Sequence, residues 1–565
     1  MTQQDNYWSI VRNQFFKNRL GTFSLYFIIA FSLMGVYAPF LASSKPLFVL
    51  YDGTPYFPLF RYLFNPVFFT KRLDIFFNLL MFSLPLMVLF RKSRVMLVLL
   101  FTTHLGLFTY FSFGLFNDPA SDPELNKAHF LAMKERIEGD SWEFDLQYMA
   151  DYKKLNLLMQ YRLRKEQDQR LQKYAPDYSV KAKELWLIRE ISKAKSKLLS
   201  EGIPFQDLPD NETLKSKILT EASKSEIQAA TAIPSLWHVA QKHHEKELKA
   251  HNQYISEHFL NYAEAKQSLE AQESEISQAE RTKAQRLIKY FENTQAEKNH
   301  LEDQLIWLAR EHQKLDFMLM PLIRPFHWED DAGGEQGLNR YIDWWELTRI
   351  NRKDLVAALI FGIRISLVVG LMAVSLSLAI GVPIGSIAGY FGGKVDIIVF
   401  RLLEIWESMP TLYMLLLVVA VLQTKSIFLI ILVIGLFSWT GFCRFIRGET
   451  LKQRHLPYVD ACLSMGFSHR YIIFSHVLPN AIPPLLTLLP FSIMGAIGSE
   501  AGLSFLGLGE EGSCSWGVLM DEGRTAFPGE SYLLWPPAIL LTLLLVAIAL
   551  VGDALRDAFD PKMRN

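Results

Sequence analysis

The sequence has few cysteines, no net charge and none of the common catalytic motifs. Its 565 residues include three cysteines, Cys443, Cys462 and Cys514, which are too few for a disulfide scaffold. Basic and acidic residues both number 58, so the chain lacks the basic surplus with which nucleic-acid binders neutralise phosphates. We therefore expect no nucleic-acid partner.

Motifs of nucleotide, metal and hydrolase chemistry are also missing. The string nearest to a nucleotide-binding loop, G-x-x-x-x-G-K-S/T, ends in Gly393-Lys394 but lacks the first glycine and the final hydroxyl residue. Patterns such as HExxH, GxSxG and paired cysteines do not occur. His244, His251 and His258 repeat every seven residues, about 10.5 Å along a helix, which is too far apart for one metal ion. We expect no catalytic residue, no metal site and no cofactor in this chain.

Charge is distributed unevenly along the chain. Residues 118–354 carry 76 charged side chains in 237 positions (32%), whereas the other 328 positions carry 40 (12%). A bilayer core about 30 Å thick needs about 20 apolar residues in a helix, so the sparsely charged part predicts membrane spans. Eight spans are predicted: 20–44, 75–90, 95–117, 365–393, 408–424, 426–443, 471–499 and 531–552. The fold class is therefore an all-α polytopic membrane protein.

The basic residues indicate the orientation of these spans. With the amino terminus inside, the inner segments hold 16 lysines and arginines and the short outer loops hold six, which follows the positive-inside rule. Both termini are then cytoplasmic and residues 118–354 are extracytoplasmic. The first span is long for the core of a signal peptide, so we interpret it as an uncleaved anchor; the alternative is a cleaved signal peptide ending at Ala42-Ser43-Ser44.

The charged segment predicts long helices, separated by prolines and a glycine. Their predicted bounds are 142–174, 181–201, 211–230 and 235–316. In the last helix, apolar residues recur at three- and four-residue steps, but polar residues such as Lys298 interrupt the seam. Because both ends of the segment return to the membrane, we expect a helical hairpin or a short coiled-coil bundle.

A sizeable inner loop separates the sixth and seventh predicted spans. It covers residues 451–480 and reads LKQRHLPYVDACLSMGFSHRYIIFSHVLPN. This pattern predicts an amphipathic helix with small residues at Ala461 and Ser464, a break at Gly466, and a second short helix that stops at Pro479. A helix with a small-residue face can seat closely against another protein. The alternative is an ordinary linker between two spans.

The spacing of this loop resembles the EAA loop, E-A-A-x3-G-x9-I-x-L-P, of ABC importer permeases. Asp460-Ala461-Cys462, Gly466 and Leu478-Pro479 stand at the matching positions, with aspartate in place of glutamate and cysteine in place of the second alanine. Further strings appear in the order found in the same family: GIRISLVVGL from Gly362, IAGYFGG from Ile387, FIRGET from Phe445, EAGLSFLGLG from Glu500, SWG from Ser515, DEGR from Asp521 and GDALRDAFDP from Gly552. Over residues 345–565 and the first span, the chain is similar to the C-type permease subunit of dipeptide, oligopeptide and nickel importers.

This resemblance implies a type I ABC importer permease core, and it implies roles for particular residues. The ATPase-coupling residues would be Asp460, Ala461, Cys462, Ser464, Gly466, Leu478 and Pro479. Partners would be a second permease subunit, two ATP-binding-cassette ATPase domains, which would hydrolyse the ATP, and an extracytoplasmic solute-binding protein. The chain would be a non-catalytic subunit in the bacterial cytoplasmic (inner) membrane. An alternative is an envelope sensor or scaffold that retains a permease body.

The expected domains are a three-span region at 1–117, an extracytoplasmic helical insert at 118–345 and a five-span permease domain at 346–565. Three carboxylates near span ends are candidates for gating or lining a path: Glu404, Glu407 and Glu500. Three tryptophans are interpreted as anchors at the membrane interface: Trp344, Trp345 and Trp516.

Overall fold

A computed structural model describes residues 7–65, 68–113, 151–204, 208–232, 236–270, 278–330, 332, 339–349, 351–422, 424–526 and 531–559. The chain divides into two compact units. We call Met1–Leu41, Lys71–His104 and Leu355–Asn565 the membrane unit, and Ala42–Thr70 with Leu105–Asp354 the insert unit.

The first part of the chain contains short elements and three longer helices. They are α1 (Tyr7–Lys17), α2 (Arg19–Val36), α3 (Ala38–Leu41), β1 (Phe48–Tyr51), β2 (Thr54–Tyr56), α4 (Pro58–Tyr62), α5 (Arg72–Leu89) and α6 (Arg94–Ser112). The middle part contains α7 (Asp151–Gln172), α8 (Ala175–Ser200), α9 (Asn211–Glu221), α10 (Lys224–Thr231), α11 (Leu236–Glu270), α12 (Gln278–His312) and β3 (Leu315–Leu319).

The elements described in the last part are all helices. It contains α13 (Leu355–Phe391), α14 (Gly393–Glu407), α15 (Thr411–Leu422), α16 (Ile427–Arg454), α17 (Pro457–Ser464), α18 (His469–Tyr471), a π-helix (Ile472–Val477), α19 (Leu478–Leu485), α20 (Leu489–Leu503), a second π-helix (Ser504–Leu508), α21 (Trp516–Thr525) and α22 (Trp535–Phe559).

The expected number of spans is confirmed. Among the described residues, seven helical runs are long and apolar enough to cross a membrane: α2, α5, α6, α13, α16, His469–Leu508 and α22. An eighth span is formed if α14 and α15, which are bent by 70° at the break between them, count as one. The predicted span at 408–424 is thus the shorter second arm of a bent pair. α13 begins ten residues before the predicted 365, because the polar Arg364 is accommodated inside the protein.

Close packing of α13 on α16 forms the centre of the membrane unit. Three glycines of α13 recur every four residues: Gly381, Gly385 and Gly389. Each lies against a backbone carbonyl of α16, and these carbonyls also recur every four residues: Trp439, Cys443 and Arg447. A Cβ added at Gly381 would lie 2.5 Å from the Trp439 oxygen, so no larger residue fits without moving a helix. Small residues at four-residue spacing are a known way for membrane helices to approach closely.

Arg364 of α13 holds α2 and α5 against this centre. Its fully buried guanidinium donates from Nε to the Gly35 carbonyl at 2.8 Å and from Nη2 to the Val36 carbonyl at 3.2 Å, at the carboxyl end of α2. From α5, Asp74 Oδ1 accepts Nη1 at 2.8 Å and Asn78 Oδ1 accepts Nη2 at 2.9 Å. We call these residues the Arg364 network. It fixes α5, the predicted span at 75–90, in the fold.

The insert unit contains a small sheet that sequence analysis did not predict. Its three antiparallel strands have the order β2-β1-β3. Val49 and Tyr51 of β1 point to a core that α7 completes with Leu155, Leu158 and Met159. The Tyr51 hydroxyl donates to Glu311 Oε2 at 2.6 Å across 260 residues of sequence. Apart from this sheet, the all-α class is confirmed.

The predicted helix at 235–316 is wrong as a single rod, because α11 and α12 are two helices that pack against each other. Tyr262 stacks on Phe291 with ring centroids 4.3 Å apart, and Phe291 is 1% exposed. The predicted helix at 211–230 is likewise two helices, because Ser223 and Glu226 form a capping box that starts α10. The region 142–150 lies outside the described residues. A coiled coil in the insert stays a prediction.

Lys45 is a buried ammonium in the insert unit. It is 5% exposed, and its Nζ lies 4.9 Å from the Tyr62 ring centroid and 5.0 Å from that of Phe68. Burial lowers the pKa of Lys45 to about 8, against the opposing attraction of Asp330. The cation–π contacts compensate part of the cost of desolvation.

Candidate functional site

α17 carries the first group of predicted coupling residues, and it is held by one buried face. Pro457 opens the helix at a position where a missing N–H costs nothing. Val459 and Cys462 point inward and pack with Tyr390, Ile472, Ile473 and Val477. Cys462 therefore fixes α17 to the membrane unit and does not face outward. A small apolar side chain is needed there because the contact is close-packed.

Gly466 ends α17 as predicted. Its φ is +79°, a left-handed conformation that favours glycine. The Gly466 N–H donates to the Leu463 carbonyl at 3.0 Å, and the Phe467 N–H donates to the Cys462 carbonyl at 3.2 Å. These two bonds form a Schellman motif. They set the direction in which the chain leaves α17.

The outer face of α17 and the turn after it is exposed and apolar around one carboxylate. Asp460, Ala461, Ser464 and Gly466 are exposed. Large apolar side chains are also exposed here: Leu456, Leu463, Met465, Phe467, Tyr471 and Phe474. We call these ten residues the coupling surface, after the coupling role that the sequence resemblance predicts for four of them. A concentration of exposed apolar side chains is typical of a protein contact site.

The prediction that Pro479 stops a helix is wrong. The chain stays helical from His469 through Pro479 as far as Leu503. The preceding π-turn explains this, since the Leu478 N–H donates to the Ile473 carbonyl five residues back. A π-turn loosens the backbone spacing, so the proline ring and its missing N–H are tolerated. Leu478 is half-buried and Pro479 is exposed, and they lie 14 and 15 residues after Ser464, the last residue of α17.

Two hydrogen bonds tie the surroundings of α17 to the end of α13. The Tyr390 hydroxyl lies 2.9 Å from His469 Nδ1, and Arg454 Nη1 donates to the Phe391 carbonyl at 3.3 Å. α16 ends at Arg454, and α17 begins three residues later. The coupling surface is therefore attached directly to the packed pair of α13 and α16.

The three candidate gating carboxylates lie in two different environments. Glu404 and Glu407 are exposed on α14, where Glu404 pairs with Arg401 at 2.5 Å and Glu407 pairs with Arg444 of α16. Glu500 is buried, and its Oε1 accepts hydroxyls from Ser504 at 2.7 Å and Ser515 at 2.6 Å. Glu500 thus joins α20 to the start of α21.

Trp516 is not an interfacial anchor. It is 1% exposed, and its indole N–H donates to the Leu359 carbonyl of α13 at 3.1 Å. A Cβ at Gly362 would collide with the Trp516 ring, so the glycine provides the space that the indole fills. Trp344 and Trp345 are exposed. A signal for this packing was present in the sequence, because Trp516 belongs to the string SWG and Gly362 to the string GIRISL, and both strings are part of the family pattern.

A charged loop of the membrane unit was missed by sequence analysis. Glu510 pairs with Lys71 at 2.5 Å, and Glu511 pairs with Lys425 at 2.8 Å. Together with Val419 and Ala420, three of these residues line a cleft of about 500 Å³. Two adjacent glutamates in a part of the chain that has few charges were the available signal.

Within the described residues, no group of three or more histidine, cysteine or acidic side chains could hold a metal ion. His251 and His258 each bond through Nδ1 to the carbonyl four residues earlier on α11, at 2.7 and 3.0 Å. The side chain of His244 lies outside the described set. The three cysteines are buried as free thiols.

Comparison with known proteins assigns both ends of the chain. Residues 381–565 match the family "binding-protein-dependent transport system inner membrane component", and residues 6–58 match the "N-terminal TM domain of oligopeptide transport permease C". The oligopeptide transport permease OppC of Haemophilus influenzae is 36% identical over 247 residues, covering 43% of this chain and 79% of the relative. The chain belongs to the C-type oligopeptide permease family.

Other relatives of this permease cover it to different extents. YejE of Agrobacterium fabrum, described as a peptidoglycan transport permease, is 39% identical over 219 residues, which are 39% of this chain and only 57% of the relative. DppC of Bacillus subtilis, a dipeptide transport permease, is 34% identical over 43% of this chain and 77% of its own. A solved inward-facing MetNI methionine ABC transporter has a TM-score of 0.30 and 18% identity, covering 36% of this chain and 97% of that one. The two family matches leave residues 59–380 outside them.

Proposed function

We propose that this permease is a transmembrane subunit of an ABC importer for peptides or a related small solute. In this function, partner subunits hydrolyse ATP and the membrane unit opens and closes a path for the solute. The observation that carries the proposal is the coupling surface, an exposed apolar face around Asp460 on a helix whose opposite face is buried. Family membership supports it independently.

The coupling surface has the properties of a docking site for an ATPase subunit. Met465 is 65% exposed and stands beside the left-handed turn at Gly466, so it projects from a fixed backbone. Apolar side chains provide contact area and Asp460 provides a charge for a basic partner group. Ala461 and Ser464 are small, so another protein can approach the helix backbone.

The attachment of α17 explains how a movement of the ATPase would reach the membrane. α17 packs on Tyr390 of α13 and follows α16 after three residues. Because glycines bring α13 and α16 into backbone contact, the two helices move as one body. Closure of the ATPase subunits would then rotate this helix pair as a unit, as in other rigid-body transitions.

The other partners and the orientation complete the proposal. A second permease subunit would form a heterodimer with this chain, two ATPase domains would bind inside, and a solute-binding protein would dock outside. We place both termini in the cytoplasm of a bacterium and the helical insert at 118–345 outside the inner membrane, on the distribution of basic residues. Cleavage of the insert by protease added to spheroplasts, with the amino terminus protected, would support this orientation, and the reverse pattern would contradict it.

Glu404 and Glu407 are the better placed of the three candidate gating carboxylates. Both are exposed and paired with arginines, so each could exchange its arginine for a group on a partner helix during transport. The enclosed Glu500 fits a structural role in joining α20 to α21. Replacing Glu407 by Gln should alter uptake, whereas replacing Glu500 by Gln should chiefly lower stability.

Met465→Arg tests the docking site. The charged side chain should reduce co-purification of the ATPase subunits and solute uptake together, because it places a cation in an apolar contact. Val180→Arg is the matched control, since Val180 is 61% exposed on α8 of the insert unit. Uptake and subunit recovery should be unchanged in the control. Normal uptake by Met465→Arg would refute the assignment.

The alternative role as an envelope sensor or scaffold gains no support from the relatives. OppC, DppC and YejE are all described as transport permeases. Uptake of solute by the reconstituted complex would separate the two functions. ATPase activity that responds to an external partner without any uptake would favour the sensor.

A further inference from the structure

Glu510 connects two helices of the membrane unit that are far apart in sequence. Its Oε1 accepts Lys71 Nζ at 2.5 Å, and its Oε2 accepts the Ile427 backbone N–H at 3.3 Å. The Lys71 and Glu510 side chains are 32% and 23% exposed. A single carboxylate therefore bridges the residue before α5 and the first residue of α16.

On one side of the bridge, Glu510 contacts Lys71, which lies outside both family matches. Lys71 directly precedes α5 and is the first residue after a segment of the insert unit. α5 is anchored near the same end, because Asp74 and Asn78 belong to the Arg364 network. Lys71 is thus held in place by a fixed helix.

On the other side, the contact lies at the amino end of the helix that leads to the coupling surface. Ser426, the N-cap residue of α16, makes no side-chain cap, and the Glu510 carboxylate takes that role for Ile427. A negative group is favourable there because of the helix dipole. α16 has 28 residues, about 42 Å of helix, and α17 follows its other end.

We propose that Glu510 is a positioning residue that fastens the start of α5 to the start of α16 and so sets the position of the coupling surface. The inference rests on the proposed transport function. A partly exposed ion pair is weak enough to break and re-form, which suits a contact that changes during each cycle. Through it, the start of α5, which directly follows the Ala42–Thr70 segment, influences how the membrane unit responds to ATP.

A double-mutant cycle in the complete transporter complex tests this. Glu510→Gln keeps an oxygen for the Ile427 N–H and removes the charge, and Lys71→Met removes the ammonium. Each single variant should lower the stimulation of ATPase activity by solute-loaded binding protein about threefold, leaving basal ATPase activity and the melting temperature unchanged. The double variant should lose no more stimulation than either single variant. Lys71→Arg, which keeps the positive charge, should keep full stimulation.

Glu511→Gln is the matched control, because Glu511 is 82% exposed and pairs with Lys425 instead of the Lys71 that precedes α5. It should keep full stimulation. Additive losses in the double variant, or equal losses in the control, would overturn the proposal while leaving the transport function intact. A wild-type complex that hydrolyses ATP but takes up no peptide would refute the proposed function instead.

Discussion

Removing the carboxylate of Asp74 should destabilise the membrane unit more than any exposed charge. Arg364 is 0% exposed, and Asp74 Oδ1 provides the opposite charge at 2.8 Å. In Asp74→Ala the guanidinium keeps its hydrogen bonds to the Gly35 and Val36 carbonyls but loses the negative charge that compensates its own. Breaking a buried ion pair from one side costs about 3 to 5 kcal/mol. Asp74→Asn keeps a neutral acceptor, so about 1.5 to 3 kcal/mol is expected.

The assay is thermal unfolding of the purified full-length protein in detergent. At about 2 °C per kcal/mol for a large domain, Asp74→Ala should lower the melting temperature by about 6 to 10 °C. Glu511→Gln, which breaks an exposed pair, should change it by about 2 °C or less. In Asp74→Leu/Arg364→Met both charges are absent, so the double variant should melt above Asp74→Ala.

Two results would refute this reasoning. If Asp74→Ala melts within about 1 °C of the control, the charge of Arg364 is compensated by something other than Asp74. If the effects of the Asp74 and Arg364 substitutions simply add, the two side chains do not act as a pair.

Three further predictions concern single side chains. Gly466→Ala should lower the free energy of unfolding by about 1 to 2 kcal/mol, because Gly466 has a positive φ, and it should weaken binding of the ATPase in a pull-down. Gly448→Ala is the control: Gly448 lies on α16 with open space around it, so its substitution should leave ATPase binding unchanged. Trp516→Ala should lower stability by about 3 to 5 kcal/mol and the exposed Trp344→Ala by about 0.5 at most in denaturant titrations. Lys45 has a pKa of about 8 when folded and 10.5 when unfolded, so the unfolded chain binds more protons between these values. Stability should therefore rise by about 3 kcal/mol from pH 8 to 10.5, and the rise should vanish in Lys45→Met; a rise that persists would contradict the assignment.

Sequence analysis predicted the features that depend on local pattern. Apolar runs located the spans, and Gly466 located the end of α17, because a left-handed turn requires that residue type. The face around Asp460 was predictable for the same reason, because the pattern of the loop indicates an amphipathic helix. Its function as a coupling surface stays a proposal.

Features that depend on distant partners were not predictable. β1, β2 and β3 have three to five residues each, too few for a clear alternating pattern, and β3 joins them from far along the chain. Arg364 reads as a polar interruption of a span until Asp74 is seen beside it. A tryptophan near the end of a span is typical of an interfacial anchor, but Trp516 is buried because Gly362 leaves space for its indole ring.

The long reach of the sheet has a consequence for biosynthesis. Tyr51 and its hydrogen-bond partner Glu311 are 260 residues apart. At about 5 to 20 residues per second, a ribosome needs roughly 13 to 50 s to make the chain between them. During that time β1 has an open edge, because its second partner strand, β3, has not yet been made. The insert unit should therefore be most vulnerable to proteases and most dependent on chaperones while the chain is still emerging, and truncations before Leu315 should be degraded rapidly.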